Sequence, residues 1–153
     1  MTQAGLIPLP DLAATARLGI RIAEALRPGD VVALTGGLGA GKTTLARAII
    51  AALGYPGEVP SPSFAIIEVY DPPRISLRVV HADFYRLEDP EEIEELGLDD
   101  YRADAALIAE WPEHAGGFAH EAACLSIRME ILENGRVAIV EPGPDWLERG
   151  GWT

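Results

Sequence analysis

Val31-Val32-Ala33-Leu34-Thr35-Gly36-Gly37-Leu38-Gly39-Ala40-Gly41-Lys42-Thr43-Thr44 is the stretch whose reading decides the fold. Its opening run of apolar residues has strand length and suits a strand covered on both faces of a parallel sheet. The glycine-rich segment that follows matches G-x-x-x-x-G-K-S/T from Gly36 to Thr43. From Thr43 onward, Thr-Thr-Leu-Ala-Arg-Ala-Ile-Ile-Ala-Ala-Leu is rich in helix formers and ends at Gly54. Strand, loop and helix follow in the order that a phosphate-cradling loop requires. Glycines let successive backbone N–H groups point into one concavity, and the helix N-terminus adds unpaired donors and the positive end of its dipole. In such a loop Lys42 reaches the β and γ phosphates of ATP and the Thr43 hydroxyl ligates Mg2+. The backbone of Gly37, Leu38, Gly39, Ala40, Gly41 and Thr44 completes the cradle.

Eleven of the twelve basic residues are arginine, and Lys42 is the single lysine of the chain. An exposed turn would accept arginine freely. Inside a phosphate loop, a planar guanidinium cannot replace a compact ammonium. The lone lysine therefore argues for the loop and against a solvent turn.

At 153 residues the chain fits a single domain spanning 1–153. No apolar run approaches the roughly 20 residues that span a bilayer. Cys124 is the only cysteine, so no intrachain disulfide can form, and the cytoplasm is the expected compartment. With 24 acidic residues against 12 basic ones the net charge is -12. That charge repels a nucleic-acid backbone, so the chain is not expected to bind nucleic acid by itself.

Around the loop, Asp11 to Leu26 has helical spacing, with Asp11 as N-cap and Pro28-Gly29 as the stop. Residues 54 to 63 are rich in proline and glycine and read as an exposed loop. Phe64 to Tyr70 and Ile75 to Ala82 read as a hairpin around Asp71-Pro72-Pro73-Arg74. The acidic stretch from Glu88 to Asp100 reads as a solvated helix that starts at Pro90 and ends at Gly97. Ala105 to Ala109 reads as a buried strand, and Ala123 to Ile131 with Arg136 to Glu141 as a second hairpin turning at Asn134-Gly135. The tail from Pro142 is expected to be irregular. The fold class is therefore α/β: a P-loop NTPase-like three-layer fold, its central sheet mostly parallel, with antiparallel hairpin strands at the edges.

A P-loop hydrolase needs an acidic residue at the C-terminal end of a neighbouring buried strand to hold the metal, directly or through its water. Two carboxylates qualify. Glu110 ends the cleaner apolar strand and is assigned to the metal; Asp83 follows Val79-Val80-His81-Ala82 and is placed near the γ phosphate or the attacking water. The two roles are exchangeable on sequence alone. His81 reads as a hydrogen-bonded strand-end histidine. Tyr85 and Arg86 are candidates for anchoring the loop at the site, and Trp111 for packing or a lid contact.

Several motifs together resemble one family: Gly36 to Thr44, Ser61-Pro62-Ser63-Phe64, His81-Ala82-Asp83-Phe84-Tyr85-Arg86, Glu95-Leu96-Gly97 and Glu110-Trp111-Pro112-Glu113. It is the bacterial TsaE ATPase family, also called YjeE, and the likeness runs from Ile7 to about Glu113. The resemblance implies slow ATP hydrolysis in a complex with the TsaD and TsaB proteins, which transfers a threonylcarbamoyl group to the adenosine beside the anticodon of certain tRNAs. It also implies that Thr43 and Glu110 take Mg2+, that Asp83 is required for hydrolysis, that Ser61 and Ser63 belong to a switch loop, and that Asp11 and Thr15 flank the adenine. The chain departs from the family pattern at Gly37, where aspartate is usual, and at Ser63, where threonine is usual. A small-molecule kinase would use the same loop and metal, but no arginine-rich lid segment that would clamp an acceptor is visible.

Overall fold

The computed structural model describes residues 5–59, 67–89 and 91–152. Among the described residues seven strands form one mixed sheet: β1 (Gly5–Leu9), β2 (Val31–Gly36), β3 (Ile67–Tyr70), β4 (Val79–Asp83), β5 (Ala106–Glu110), β6 (Cys124–Leu132) and β7 (Gly135–Pro142). Their spatial order is β1-β7-β6-β2-β5-β4-β3. The four central strands run parallel, with β2 between β5 and β6, and β4 on the far side of β5. Antiparallel partners close both ends, β3 on β4 and the pair β7 and β1 beyond β6. This is the expected α/β architecture, with a parallel centre and hairpin strands at the edges.

The helices are α1 (Leu12–Ala25), α2 (Lys42–Ala52), α3 (Glu92–Leu96), α4 (Leu98–Arg102) and α5 (Pro144–Arg149). Asp11 caps α1, its carboxylate accepting the Ala14 N–H at 2.8 Å. Helices α1 and α2 pack on one face of the sheet, where Leu18, Ile22, Leu45, Ile49 and Ile50 meet Val32, Leu34, Ile108, Leu125 and Ile127. They approach closely because residue 19 is glycine: a Cβ there would lie 2.6 Å from that of Ala48. The other face buries Val31, Ala33, Val80, Ala82, Leu107 and Ala109 under Phe84, Leu87, Leu98 and Phe118. Strand β2 thus has alternate residues in two cores, which is why its sequence reads as continuous rather than alternating.

Three local expectations are corrected. The second strand of the first hairpin begins at Val79 rather than Ile75; Ile75 instead buries itself in the core beside α2, and the Ser76 N–H donates to Leu53 O at 3.0 Å. The acidic stretch is two short helices rather than one, because Gly97 adopts the left-handed conformation (φ 71°) and restarts the chain as α4. The tail is not irregular. Pro144 opens α5 at a position where its missing N–H costs nothing, and Trp146 is fully buried with Nε1 donating to Ala123 O at 2.8 Å. Arg149 then grips Asp30 through two bonds of 2.6 and 2.8 Å, tying the tail to the residue before β2.

Candidate functional site

The C-terminal ends of β2, β4 and β5 lie side by side, and the loop from Gly36 to Gly41 carries the chain from β2 into α2. Gly36 has φ 134°, and a Cβ there would sit 2.4 Å from Met129 O, so the turn out of β2 tolerates no side chain. Gly41 has φ 106° and precedes α2 with no side-chain cap, which leaves the first N–H groups of that helix as unclaimed donors. An anionic group fits such a cradle without further help.

Lys42 and Thr43 open α2 on the side facing the sheet. The Lys42 ammonium donates to Gly36 O at 2.9 Å and Gly37 O at 2.8 Å, and it lies 4.5 Å from the centroid of the Trp111 ring. Burial pulls its pKa below 10.5, although the charges of Glu110, Asp83 and Glu113 push the other way. The Thr43 hydroxyl donates to Glu110 Oε1 at 2.6 Å. The other Glu110 oxygen, Oε2, is 2.7 Å from His81 Nε2, and both residues are buried.

Asp83 pairs in register with Glu110 across β4 and β5 and is half-buried. Burial raises its pKa above 3.8, and the charge of Glu110 adds to this; the Tyr85 N–H, bonded to Oδ1 at 3.0 Å, works against it, as do His81 and Lys42. Tyr85 stacks at a tilt on Trp111, with 4.9 Å between centroids, and His114 lies against both rings with Nδ1 2.9 Å from Tyr85 O. This aromatic group walls one side of the loop. Trp111 takes the left-handed conformation (φ 55°) while its N–H donates to Leu34 O at 3.2 Å.

These side chains border a cleft of about 460 Å³ lined by Thr15, Gly39, Gly41, Lys42, Thr43, Thr44, Asp83, Tyr85, Arg86, Glu110 and Trp111, together with Leu12, Leu38 and Arg136. Most of the residues singled out in the sequence are therefore brought to one place. Asp11 is not on that lining: its carboxylate serves the α1 cap, and its neighbour Leu12 faces the cleft instead. Gly37 and Ala40 are not on that lining either: Gly37 is exposed and its carbonyl accepts from Lys42, while Ala40 is buried beneath the loop. Ser61 and Ser63 lie outside the described residues. Arg136 was missed by sequence reasoning. It comes from β7, donates Nη2–H to Gly39 O at 3.1 Å, and has a buried Nε without a partner among the described residues. Nothing within its own segment signals this; it reaches the loop only because β7 lies beside β6, whose Met129 underlies Gly36.

The donors present suit a nucleoside triphosphate with a hard divalent cation. Among the described residues no group of three His, Cys, Asp or Glu side chains could hold a metal alone. A hydroxyl and a carboxylate held together, as Thr43 and Glu110 are, offer oxygen donors of the kind that a hard divalent cation accepts.

The sequence model of a family described as threonylcarbamoyl adenosine biosynthesis protein TsaE matches residues 9–138. The chain is 38% identical over 134 residues to the tRNA threonylcarbamoyladenosine biosynthesis protein TsaE of Haemophilus influenzae, covering 84% of this chain and 83% of that one. It is 40% identical over 120 residues to the protein of the same name from Mycobacterium bovis, covering 74% and 71%. The crystal structure of YdiB from Bacillus subtilis superposes with a TM-score of 0.77 at 25% identity, covering 97% of this chain and 92% of that one.

Proposed function

Because this chain belongs to the TsaE family, and so has a role in tRNA threonylcarbamoyladenosine biosynthesis, we propose that its cleft binds ATP with Mg2+ and hydrolyses the γ phosphate. One observation carries the reading: the Thr43 hydroxyl and the Glu110 carboxylate are joined at the mouth of a phosphate loop whose lysine stands beside them. Mg2+ there would neutralise charge on the β and γ phosphates. Thr43 and Glu110 would hold it. Lys42 would exchange its two loop carbonyls for phosphate oxygens, a stronger pairing for a partly desolvated ammonium.

Asp83 stands one strand further out, with its carboxylate held by the Tyr85 N–H, which supports a role in orienting a water rather than in sharing the metal with Glu110. Its raised pKa suits a proton acceptor. Arg136, reaching Gly39 O from β7, adds positive charge on the side of the loop away from the carboxylates.

Hydrolysis serves the complex that this chain forms with TsaD and TsaB, and the chain meets tRNA only through them, in keeping with its charge of -12. The cytoplasm fits this role; no helix among the described residues is long and apolar enough to cross a membrane.

Measuring ATP turnover with Mg2+ and with EDTA, by the protein alone and with TsaD plus TsaB, tests the proposal. Slow Mg2+-dependent turnover that changes when the partners are added is expected. No turnover under any of these conditions or, in a separate titration, tight salt-sensitive binding of tRNA by the isolated chain would refute it.

A further inference from the structure

We propose that His81 is a positioning residue: by donating Nε2–H to one oxygen of Glu110 it aims the other at Thr43, and Mg2+-dependent nucleotide binding depends on that aim. The inference rests on the reading of Glu110 as the metal-side carboxylate.

His81 lies two residues before Asp83 on β4, on the same face of the strand, and is wholly buried. It does not line the cleft, so it acts on the nucleotide only through another side chain. That side chain is Glu110, whose Oε2 is 2.7 Å from His81 Nε2 and whose Oε1 is 2.6 Å from Thr43 Oγ1. The terminal torsion of a glutamate is soft and broad. One hydrogen bond would leave the carboxylate free to turn about that torsion; two bonds on different oxygens, from elements on opposite sides, remove the freedom. The same division of labour orients metal-binding groups in many sites, where the outer partner matters almost as much as the ligand.

The burial pattern also selects the tautomer. Nδ1 of His81 is buried and has no partner among the described residues. A proton on Nδ1 would be a donor with nothing to meet, whereas a proton on Nε2 points at a carboxylate oxygen. Here the partner is the carboxylate that Thr43 already engages from the loop side.

The test titrates ATP into wild type, His81→Phe and His81→Gln, each with Mg2+ and with EDTA, after circular dichroism shows that the variants fold. In addition, 15N NMR of the nucleotide-free wild type locates the ring proton. Phenylalanine keeps the ring volume without the donor, and glutamine places an amide N–H near the position of Nε2. The expected result is tighter wild-type binding with Mg2+ than with EDTA, about 10-fold or more of that gain lost in His81→Phe, unaltered affinity in EDTA, recovery in His81→Gln, and a proton on Nε2. Full Mg2+ gain in His81→Phe, equal loss with and without metal, or a proton on Nδ1 would each overturn the inference. Should His81→Phe not fold, His81→Gln and the ring proton decide. Wild type that binds ATP equally in Mg2+ and EDTA would instead overturn the metal reading of Glu110, and the inference with it.

Discussion

Thr43 and Glu110 stand 67 positions apart in the chain and meet in a 2.6 Å hydrogen bond between the first turn of α2 and the last residue of β5. Strand register makes the meeting possible, since Leu34 near the end of β2 pairs with Glu110. A bond to a buried carboxylate is of the stronger kind, so a double-mutant cycle with Thr43→Val and Glu110→Ala, each of which removes one partner, should show coupling of about 1–3 kcal/mol in nucleotide-free protein unfolded by urea. Coupling below about 0.5 kcal/mol would mean the bond is not formed in solution. Glu110→Ala should weaken ATP binding in Mg2+ far more than in EDTA.

Lys42 can be watched alone, because 13C-lysine labelling places only one side chain in the spectrum. In nucleotide-free protein its titration midpoint should fall below 10.5, chiefly because burial disfavours the charged form. Between that midpoint and 10.5 the unfolded chain still binds the proton that the folded one has released, so stability rises with pH there. Binding ATP should move the midpoint up. A nucleotide-free midpoint at or above 10.5 would contradict the buried setting. Lys42→Arg should keep the charge yet lose turnover by about 100-fold or more, through misfit of the guanidinium fork.

Asp83 carries a cost in the resting protein. Its folded pKa is raised, mainly by burial, so its stabilising contribution is complete below 3.8 and is lost as pH rises through the folded value. At pH 7 the charged form therefore strains the fold, and Asp83→Asn, which can still accept the Tyr85 N–H, should unfold about 1–2 °C higher, the small figure reflecting partial exposure. Turnover should collapse in the same variant. An unfolding temperature below that of wild type would show that the carboxylate stabilises rather than strains.

Gly36 and Gly37 are neighbours with opposite tolerance. Gly36→Ala would drive a Cβ to 2.4 Å from Met129 O at φ 134°, and should destabilise the protein by about 2 kcal/mol or more. Gly37→Asp meets nothing within 4 Å of its Cβ and should fold with unchanged stability. Thermal denaturation of the two variants compares them directly, and the opposite order would refute the loop geometry.

Tyr70 buries its hydroxyl without a partner among the described residues, and burial, with Glu68 nearby, pushes its pKa up to about 12. Stability should therefore hold below pH 10 and fall as pH rises from 10 toward 12, where the unfolded chain releases a proton the folded one retains. Tyr70→Phe should remove that alkaline loss and leave neutral-pH stability equal or slightly higher. A large destabilisation at pH 7 would reveal a bond to the hydroxyl.

The phosphate loop was legible because its demands are local. Fourteen consecutive residues state a buried strand, glycines where the backbone must turn, one ammonium and the start of a helix, and the structure places them as strand, loop and helix in that order. The α/β class was legible for the same reason, through apolar runs of strand length between helical segments. Asp83 and Glu110 were visible as acids ending apolar strands, but which of them meets Thr43 was not. That choice belongs to strand order and register, which set Glu110 against Leu34 and put Asp83 one strand further out. The same through-space pairing brings Arg136 from β7 to the loop, turns Leu12 rather than Asp11 into the cleft, and gives His81 a carboxylate to hold. Trp146 shows the limit at the chain's end: a short helix below the length that propensity sustains exists because its indole is buried and its arginine finds Asp30. Local backbone chemistry is written in adjacent residues. Partners tens of residues apart are decided only when the sheet assembles.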